Sequence, residues 1–233
     1  MKEKIYTIPV TEAFSVECEC PVCVLQKKLE DEYAIYFLGP SLMEPDCRLV
    51  TNEKGFCRRH FELLYNKQEN RLGLGLVIDT HLQEQTGKLV GQSKPGKGTK
   101  LIDDTLALLA KLESSCAICS KLEYTMDRYM DVIMYLWVRE EDFRQLFNSK
   151  KGFCLVHFRL LLESAKKYLK KADAAVFADN LLKMQLANLE RIQQEVNWFT
   201  KKFDYRYNDA PWGNSKDSLQ RSIQKLVGYC DLK

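Results

Sequence analysis

The sequence predicts an all-α protein: two homologous helical units, each held together by zinc, with a C-terminal helical segment packed across them. Three observations support this fold class. Apolar residues recur at helical spacing along most of the chain, one cysteine and histidine motif occurs twice, and strand patterns are almost missing. The only strand candidate is the short segment 5–10.

The helices can be placed in chain order. Residues 24–37 have helical apolar spacing up to Gly39-Pro40, which should end that helix, and residues 122–137 repeat the pattern. A helix should begin at each Gly-Phe-Cys and continue through the following histidine. A long helix should cover about 174–203, and a last one should cover 217–227, with Gly228 as its stop.

The repeated motif joins a Cys-x-x-Cys pair to a later Gly-Phe-Cys-x-x-His-Phe. The third cysteine follows the second by 34 residues in the first copy and by 35 in the second. Three thiolates and one imidazole form the ligand set of a closed structural zinc site. We therefore expect one site in each copy and two Zn²⁺ per chain. The predicted ligands are Cys20, Cys23, Cys57 and His60 in the first copy, and Cys116, Cys119, Cys154 and His157 in the second.

Local geometry favours these ligands. Residues three apart share a helix face, and helix N-termini stabilise thiolates. Gly55 and Gly152 permit a tight turn before the third ligand of each copy. The apolar residues around His157 predict a buried second site, and Arg58 and Arg59 predict a more exposed first site that loses metal faster.

The sequence also permits other interpretations of the motif. The cysteines could be scattered core residues, the CxxC pairs could be redox dithiols, and the bound metal could be iron. A catalytic zinc site normally keeps one position for water, so four protein ligands per site argue against an enzyme. The repeat leaves out Cys47 and Cys230 as well as Cys18, although Cys18 lies close enough to compete with Cys20.

The repeat also suggests domain boundaries. We expect a first unit over 1–90, a linker over 91–100 that is rich in glycine and lysine, a second unit over 101–203, and an aromatic loop and helix over 204–233. Residues 203–215 combine aromatic and polar side chains. They either pack back onto the units, which we favour, or form a binding surface.

Composition limits the function classes. The chain has 233 residues, 45% hydrophobic and 29% charged, with a net charge of +3, which is too small to indicate nucleic-acid binding by itself. No stretch reaches the length of a membrane span and no secretory signal is visible, so we expect a cytoplasmic protein. Nine cysteines in a reducing compartment favour metal binding over disulfides.

The paired motifs, with segments 202–206 and 211–217, resemble an uncharacterised bacterial family of unknown function. The resemblance covers most of the chain and implies no activity. The favoured function is therefore a non-catalytic, zinc-binding interaction or regulatory protein with a protein partner and no membrane contact. The alternatives are a thiol-disulfide redox protein and a nucleic-acid-binding regulator.

Overall fold

The computed structural model of the protein describes residues 6–92 and 98–232. Within these ranges it contains eleven α-helices and no strand, so the predicted all-α class is confirmed. The helices are α1 Thr7–Ser15, α2 Pro21–Leu38, α3 Pro45–Lys54, α4 Arg58–Lys67, α5 Arg71–Gln92, α6 Thr99–Glu113, α7 Ala117–Arg139, α8 Glu141–Asn148, α9 Leu155–Tyr168, α10 Lys171–Lys201 and α11 Ser218–Val227. Short 3-10 helices cover Pro40–Met43, Tyr205–Tyr207 and Gly213–Ser215.

Helix ends follow the local sequence signals. Helix α2 ends at Leu38, directly before Gly39-Pro40, as predicted. Helix α11 ends at Val227, and the φ of 91° at the following Gly228 lies in the region that favours glycine. The strand candidate at 5–10 is wrong over its described part. Those residues enter α1, because Val10 and Phe14 lie one helical turn apart and are both buried.

The chain folds into two compact units whose limits differ from the sequence boundaries. The terminal unit contains residues 1–27 and 126–233, and the central unit contains residues 28–125. The expected linker at 91–100 lies inside the central unit. Residues 93–97 are outside the described part of the chain, and the described residues on both sides of them belong to α5 and α6.

The core of the terminal unit is aromatic. Phe14 stacks on Phe147 at 5.6 Å between ring centroids, and Phe147 also contacts Phe153 and Phe177. Trp137 meets Phe177 edge-on at 4.9 Å. Phe153 belongs to the second Gly-Phe-Cys, so the same cluster that forms the core also fixes the backbone beside Cys154.

The central unit anchors its own Gly-Phe-Cys in the same way. Phe56 is buried and makes edge-on contacts with Phe37 at 5.3 Å and Phe61 at 5.5 Å. Because Phe56 precedes Cys57, this packing holds the start of α4. Each motif phenylalanine therefore has a structural role that explains its place beside the ligand.

The C-terminal segment packs within the terminal unit, where α11 contacts α9 and α10. Its aromatic loop folds onto the end of α10. Trp198 Nε1 donates to the Pro211 carbonyl at 3.0 Å, and Trp212 contacts Phe199 at 5.9 Å between ring centroids. The Lys202 ammonium donates to three carbonyl groups of the same loop and lies 5.3 Å from the Trp212 ring centroid.

A substitution can measure how much this packing contributes. We expect Trp212→Ala to cost about 2 kcal/mol, because it removes a half-buried ring from Phe199 and Lys202. This corresponds to a decrease in melting temperature of about 5 °C for a chain of this length. Tyr205→Ala is the control, since Tyr205 is 83% exposed, and it should leave the melting temperature unchanged. Equal melting temperatures for the two variants would contradict the packing role.

Candidate metal centres

All eight predicted ligand residues gather into two clusters, but each cluster combines both copies of the motif. The terminal cluster contains Cys20, Cys23, Cys154 and His157, and the central cluster contains Cys57, His60, Cys116 and Cys119. Within each cluster all four ligand atoms lie within 4.8 Å of one another. The expected grouping of ligands within one copy is therefore wrong. Each CxxC meets the CxxH of the other copy, and each cluster lies entirely inside one compact unit.

Helix lengths explain the exchange. In the first copy, α2 carries the chain about 22 Å from Cys23 to Leu38, and the 10-residue α3 spans only about 15 Å. In the second copy, the 23-residue α7 spans about 35 Å, and the 8-residue α8 spans about 12 Å. The CxxH of each copy therefore stops short of its own CxxC.

The ligand distances fit a tetrahedral ion. Zinc bonds of about 2.3 Å to sulfur and 2.0 Å to nitrogen place two sulfurs about 3.8 Å apart and a sulfur and a nitrogen about 3.5 Å apart. The measured distances are 3.8 Å between the Cys57 and Cys119 sulfurs, and 3.6 Å between those of Cys23 and Cys154. In both clusters the three sulfurs lie 3.2 to 3.5 Å from the histidine Nδ1.

Both histidines are oriented by a second partner on α2. His157 Nε2 lies 2.8 Å from the Gln26 side-chain oxygen, and His60 Nε2 lies 2.9 Å from a Glu30 carboxylate oxygen. Because both partners are acceptors, Nε2 carries a proton, and Nδ1 is the nitrogen that faces the three sulfurs. This is the arrangement by which proteins orient imidazole ligands of a metal.

The partners of the two histidines differ in charge. Glu30 is buried and also accepts from the Arg59 guanidinium at 2.8 Å, so the central cluster has an ionised carboxylate beside its histidine. The terminal cluster has only the neutral Gln26. Sequence reasoning missed both partners, because the residues at the equivalent repeat positions are the apolar Leu122 and Met126.

The ligands of the central cluster differ in pKa even without a metal. Burial disfavours the charged form of His60, but hydrogen bonds to Cys116 and Glu30 outweigh it and raise the His60 pKa to about 9. Burial likewise opposes ionisation of Cys116, but hydrogen bonds from His60 and from backbone amides lower its pKa to about 6. Burial and the neighbouring Cys116 raise the pKa of Cys119 to about 12.

Burial and hydrogen bonds also shift the pKa values of the cysteines in the terminal cluster. Hydrogen bonds from Cys20, Cys23 and His157 hold the pKa of Cys154 far below its usual value, although its burial opposes ionisation. Burial raises the pKa of Cys20 well above its usual value, and the nearby thiols raise it further. In both clusters one thiolate is stabilised by its neighbours. A metal cation would have to displace the remaining protons, so its binding must weaken at low pH.

In the central unit the backbone itself joins the two ligand loops. The Ala117 amide donates to the Gly55 carbonyl at 2.9 Å, and the Ser115 hydroxyl donates to the Lys54 carbonyl at 2.8 Å. Gly55 has a φ of 56°, and a Cβ there would lie 2.5 Å from His81 Nε2. His81 therefore supports the turn before Cys57, and its Nδ1 lies 2.8 Å from the Asn52 carbonyl oxygen at the end of α3.

In the terminal unit a lysine replaces that backbone bond. Pro21 stands at the repeat position of Ala117 and has no amide hydrogen to donate. Lys225 of α11 instead donates to the carbonyl of Glu19 at 2.7 Å and to that of Lys151 at 2.6 Å. One buried ammonium thus links the loop before Cys20 to the loop before Cys154.

A charge network surrounds this lysine. The Lys225 side chain is 1% exposed, and its Nζ lies 3.0 Å from a Glu19 carboxylate oxygen. Glu19 also accepts from Arg191 at 2.6 Å and from Arg221 at 3.3 Å. The Lys225 charge is therefore paired, and sequence reasoning missed it because Lys225 lies outside both copies of the motif.

The two clusters differ in solvent exposure. All four ligands of the terminal cluster are buried, while in the central cluster Cys57 is half-buried and Cys119 is exposed. The sequence predicted that the more exposed site contains Cys57, and the structure confirms this. The two CxxC ligands beside Cys57 are Cys116 and Cys119, however, and not Cys20 and Cys23. The other cysteines, which are Cys18, Cys47 and Cys230, belong to neither cluster.

The fold and site define an all-α protein with two Cys3His clusters that could bind metal. The whole chain, residues 1–233, matches a family model described as a family of unknown function (DUF6062), and the chain belongs to that family. No curated protein matches the chain, and no solved structure matches it either. Among the described residues, no helix combines the length and apolar character that crossing a membrane requires.

The role of Lys225 in supporting the terminal cluster can be measured by substitution. We expect Lys225→Met to lower the free energy of unfolding by about 3 kcal/mol, because it leaves the Glu19 and Lys151 carbonyls without their buried donor. The readout is the midpoint of urea unfolding. Lys216→Met changes an exposed lysine just before the same helix and should leave the midpoint unchanged. Equal midpoints for the two variants would refute the linking role of Lys225.

Proposed function

We propose that this protein binds two structural Zn²⁺ ions through its two Cys3His clusters and acts through protein contacts rather than catalysis. The observation that carries the proposal is the ligand geometry. Each cluster brings three sulfurs and one Nδ1 within 4.8 Å of one another, and each imidazole is fixed by a hydrogen bond at its other nitrogen. Metal-binding histidines are typically held in this way.

The donor set favours zinc over iron and over an open catalytic centre. Thiolate and imidazole ligands in a tetrahedron are typical of structural zinc, whereas iron–sulfur clusters usually take four cysteines. Four protein ligands fill the coordination shell, so no position is left for a reactive water. The terminal cluster supports this most strongly, because all of its ligands are buried.

The metal would stabilise the fold by joining distant parts of the chain. In the terminal cluster it would connect Cys23 to Cys154, which lie 131 residues apart in sequence. In the central cluster it would connect His60 to Cys116, which lie 56 residues apart. Metal binding of this kind contributes directly to the free energy of folding.

An apolar surface on α6 supports the protein-contact part of the proposal. None of the residues of α6 is buried, and Ile102 and Leu106 are 60% and 59% exposed. Leu109, three residues beyond Leu106, is 38% exposed on the same side of the helix. Contiguous apolar side chains at a surface are typical of interaction sites.

All nine cysteines are unpaired in the structure, so the six that belong to the clusters are available as metal ligands. The proposal therefore assigns the cysteines of both clusters to zinc and not to structural disulfides.

Metal analysis tests the proposal directly. Protein purified without added metal should contain about two zinc ions per chain and little iron, because each cluster supplies one complete ligand set. Inductively coupled plasma mass spectrometry on the intact chain measures both metals. A chain with no bound zinc, or with iron in place of zinc, would overturn the proposal.

Cobalt replacement tests the closed coordination shell on the same protein. Co²⁺ bound by three thiolates and one imidazole should give a tetrahedral visible spectrum, and added azide should not change it, because no ligand position is open. An azide-dependent spectrum would indicate an open site and would contradict the non-catalytic assignment.

A further inference from the structure

We propose that the central cluster is a thiol oxidation site, at which hydrogen peroxide joins Cys119 to Cys57 in a disulfide and releases the zinc. The terminal cluster keeps its zinc under the same conditions. This inference rests on the proposed zinc binding, because the reacting groups are the zinc-bound thiolates. It adds a regulatory role, since one of two sites with the same ligand types would respond to oxidants.

Solvent access distinguishes the two clusters. Cys119 is exposed and Cys57 is half-buried, whereas Cys116 and His60 of the same cluster are buried. The two cysteines that solvent reaches therefore come from different ligand pairs, one from the CxxH and one from the CxxC. Oxidation of cysteine depends on thiolate character and exposure. Bound zinc would hold both sulfurs as thiolates, and their position supplies the exposure.

The pair is close enough to react. The Cys57 and Cys119 sulfurs lie 3.8 Å apart, and a disulfide requires about 2.05 Å, so closure needs movement of less than 2 Å. Both residues lie at helix starts, since Cys57 directly precedes α4 and Cys119 lies in the first turn of α7.

The chemistry balances with peroxide as the only oxidant. The Cys119 thiolate attacks one peroxide oxygen, the O–O bond breaks, hydroxide leaves, and the sulfur becomes a sulfenic acid. The Cys57 thiolate then attacks the Cys119 sulfur, which forms the S–S bond and expels a second hydroxide. Two thiolates lose two electrons in total, the peroxide gains them, and the two hydroxides take two protons from solvent to become water.

Zinc loss follows from the ligand count. The disulfide removes two of the four ligands and leaves only Cys116 and His60, and two ligands do not hold structural zinc. The buried Glu30 carboxylate then remains beside a His60 imidazole that has no bound metal. Reduction of the disulfide would restore both thiolates, so the step is reversible in the presence of zinc and a thiol reductant.

The terminal cluster is protected by the elements that cover it. All four of its ligands are buried, and Lys225 closes the two ligand loops from the side of α11. Gly228, just after α11, lies so close that a Cβ there would be 3.7 Å from the Cys154 sulfur and 3.9 Å from that of Cys23. These groups cover the terminal cluster and keep peroxide away from its sulfurs, whereas the central cluster is open to solvent.

The test begins with protein shown to contain two zinc ions, so a failure of the proposed function is recognised before peroxide is added. Peroxide should then release one zinc per chain at least about tenfold faster than the other, followed with a zinc-binding dye. Peptide mass spectrometry should identify a disulfide between Cys57 and Cys119, and a thiol reductant with zinc should reverse both changes.

Matched variants separate oxidation from simple loss of a ligand. Cys119→His keeps four zinc ligands as a Cys2His2 set, so it should retain two zinc ions and lose the fast peroxide phase. Cys18→Ser changes a cysteine outside both clusters and should keep that phase. Loss of both zinc ions at one rate, a disulfide between Cys116 and Cys119, or a fast phase that persists in Cys119→His would each overturn the proposal, as would a protein that binds no zinc.

Discussion

The crossed meeting of each CxxC with the CxxH of the other copy is the constraint on which the rest of the structure depends. Four ligands must converge within a few ångströms, and in both clusters two come from one copy of the motif and two from the other. A long outgoing helix and a short returning helix prevent closure within one copy. The compact units therefore do not follow the repeat: the terminal unit takes both chain ends, and the central unit takes the segment between them.

The clusters have the same ligand types but are supported differently. In the central unit a backbone hydrogen bond from Ala117 to Gly55 joins the ligand loops, and a carboxylate orients the histidine. In the terminal unit Pro21 removes that donor, and the buried Lys225 and the neutral Gln26 serve instead. This difference buries one cluster under α11 and leaves the other partly open to solvent. Under the proposed zinc binding, one protected and one accessible cluster would combine a permanent structural role with a responsive one.

Much of this could be predicted from sequence, and the remainder has a physical reason. Helical spacing predicted the all-α class, and the repeat predicted which eight side chains cluster. The pairing could not be predicted, because the same eight residues satisfy either arrangement and only helix length and packing decide between them. Gln26, Glu30 and Lys225 were missed because they lie outside the repeated pattern. Their roles depend on contacts between residues far apart in sequence.

The most direct test of the crossed pairing is the zinc content of two matched double variants. Cys57→Ser with Cys119→Ser removes two ligands of the central cluster, so the account predicts that about one zinc per chain remains. Cys20→Ser with Cys57→Ser removes one ligand from each cluster and should leave almost none. Pairing within each copy of the motif would give the opposite result, with zinc lost from the first variant and one ion retained by the second. That outcome would contradict the account.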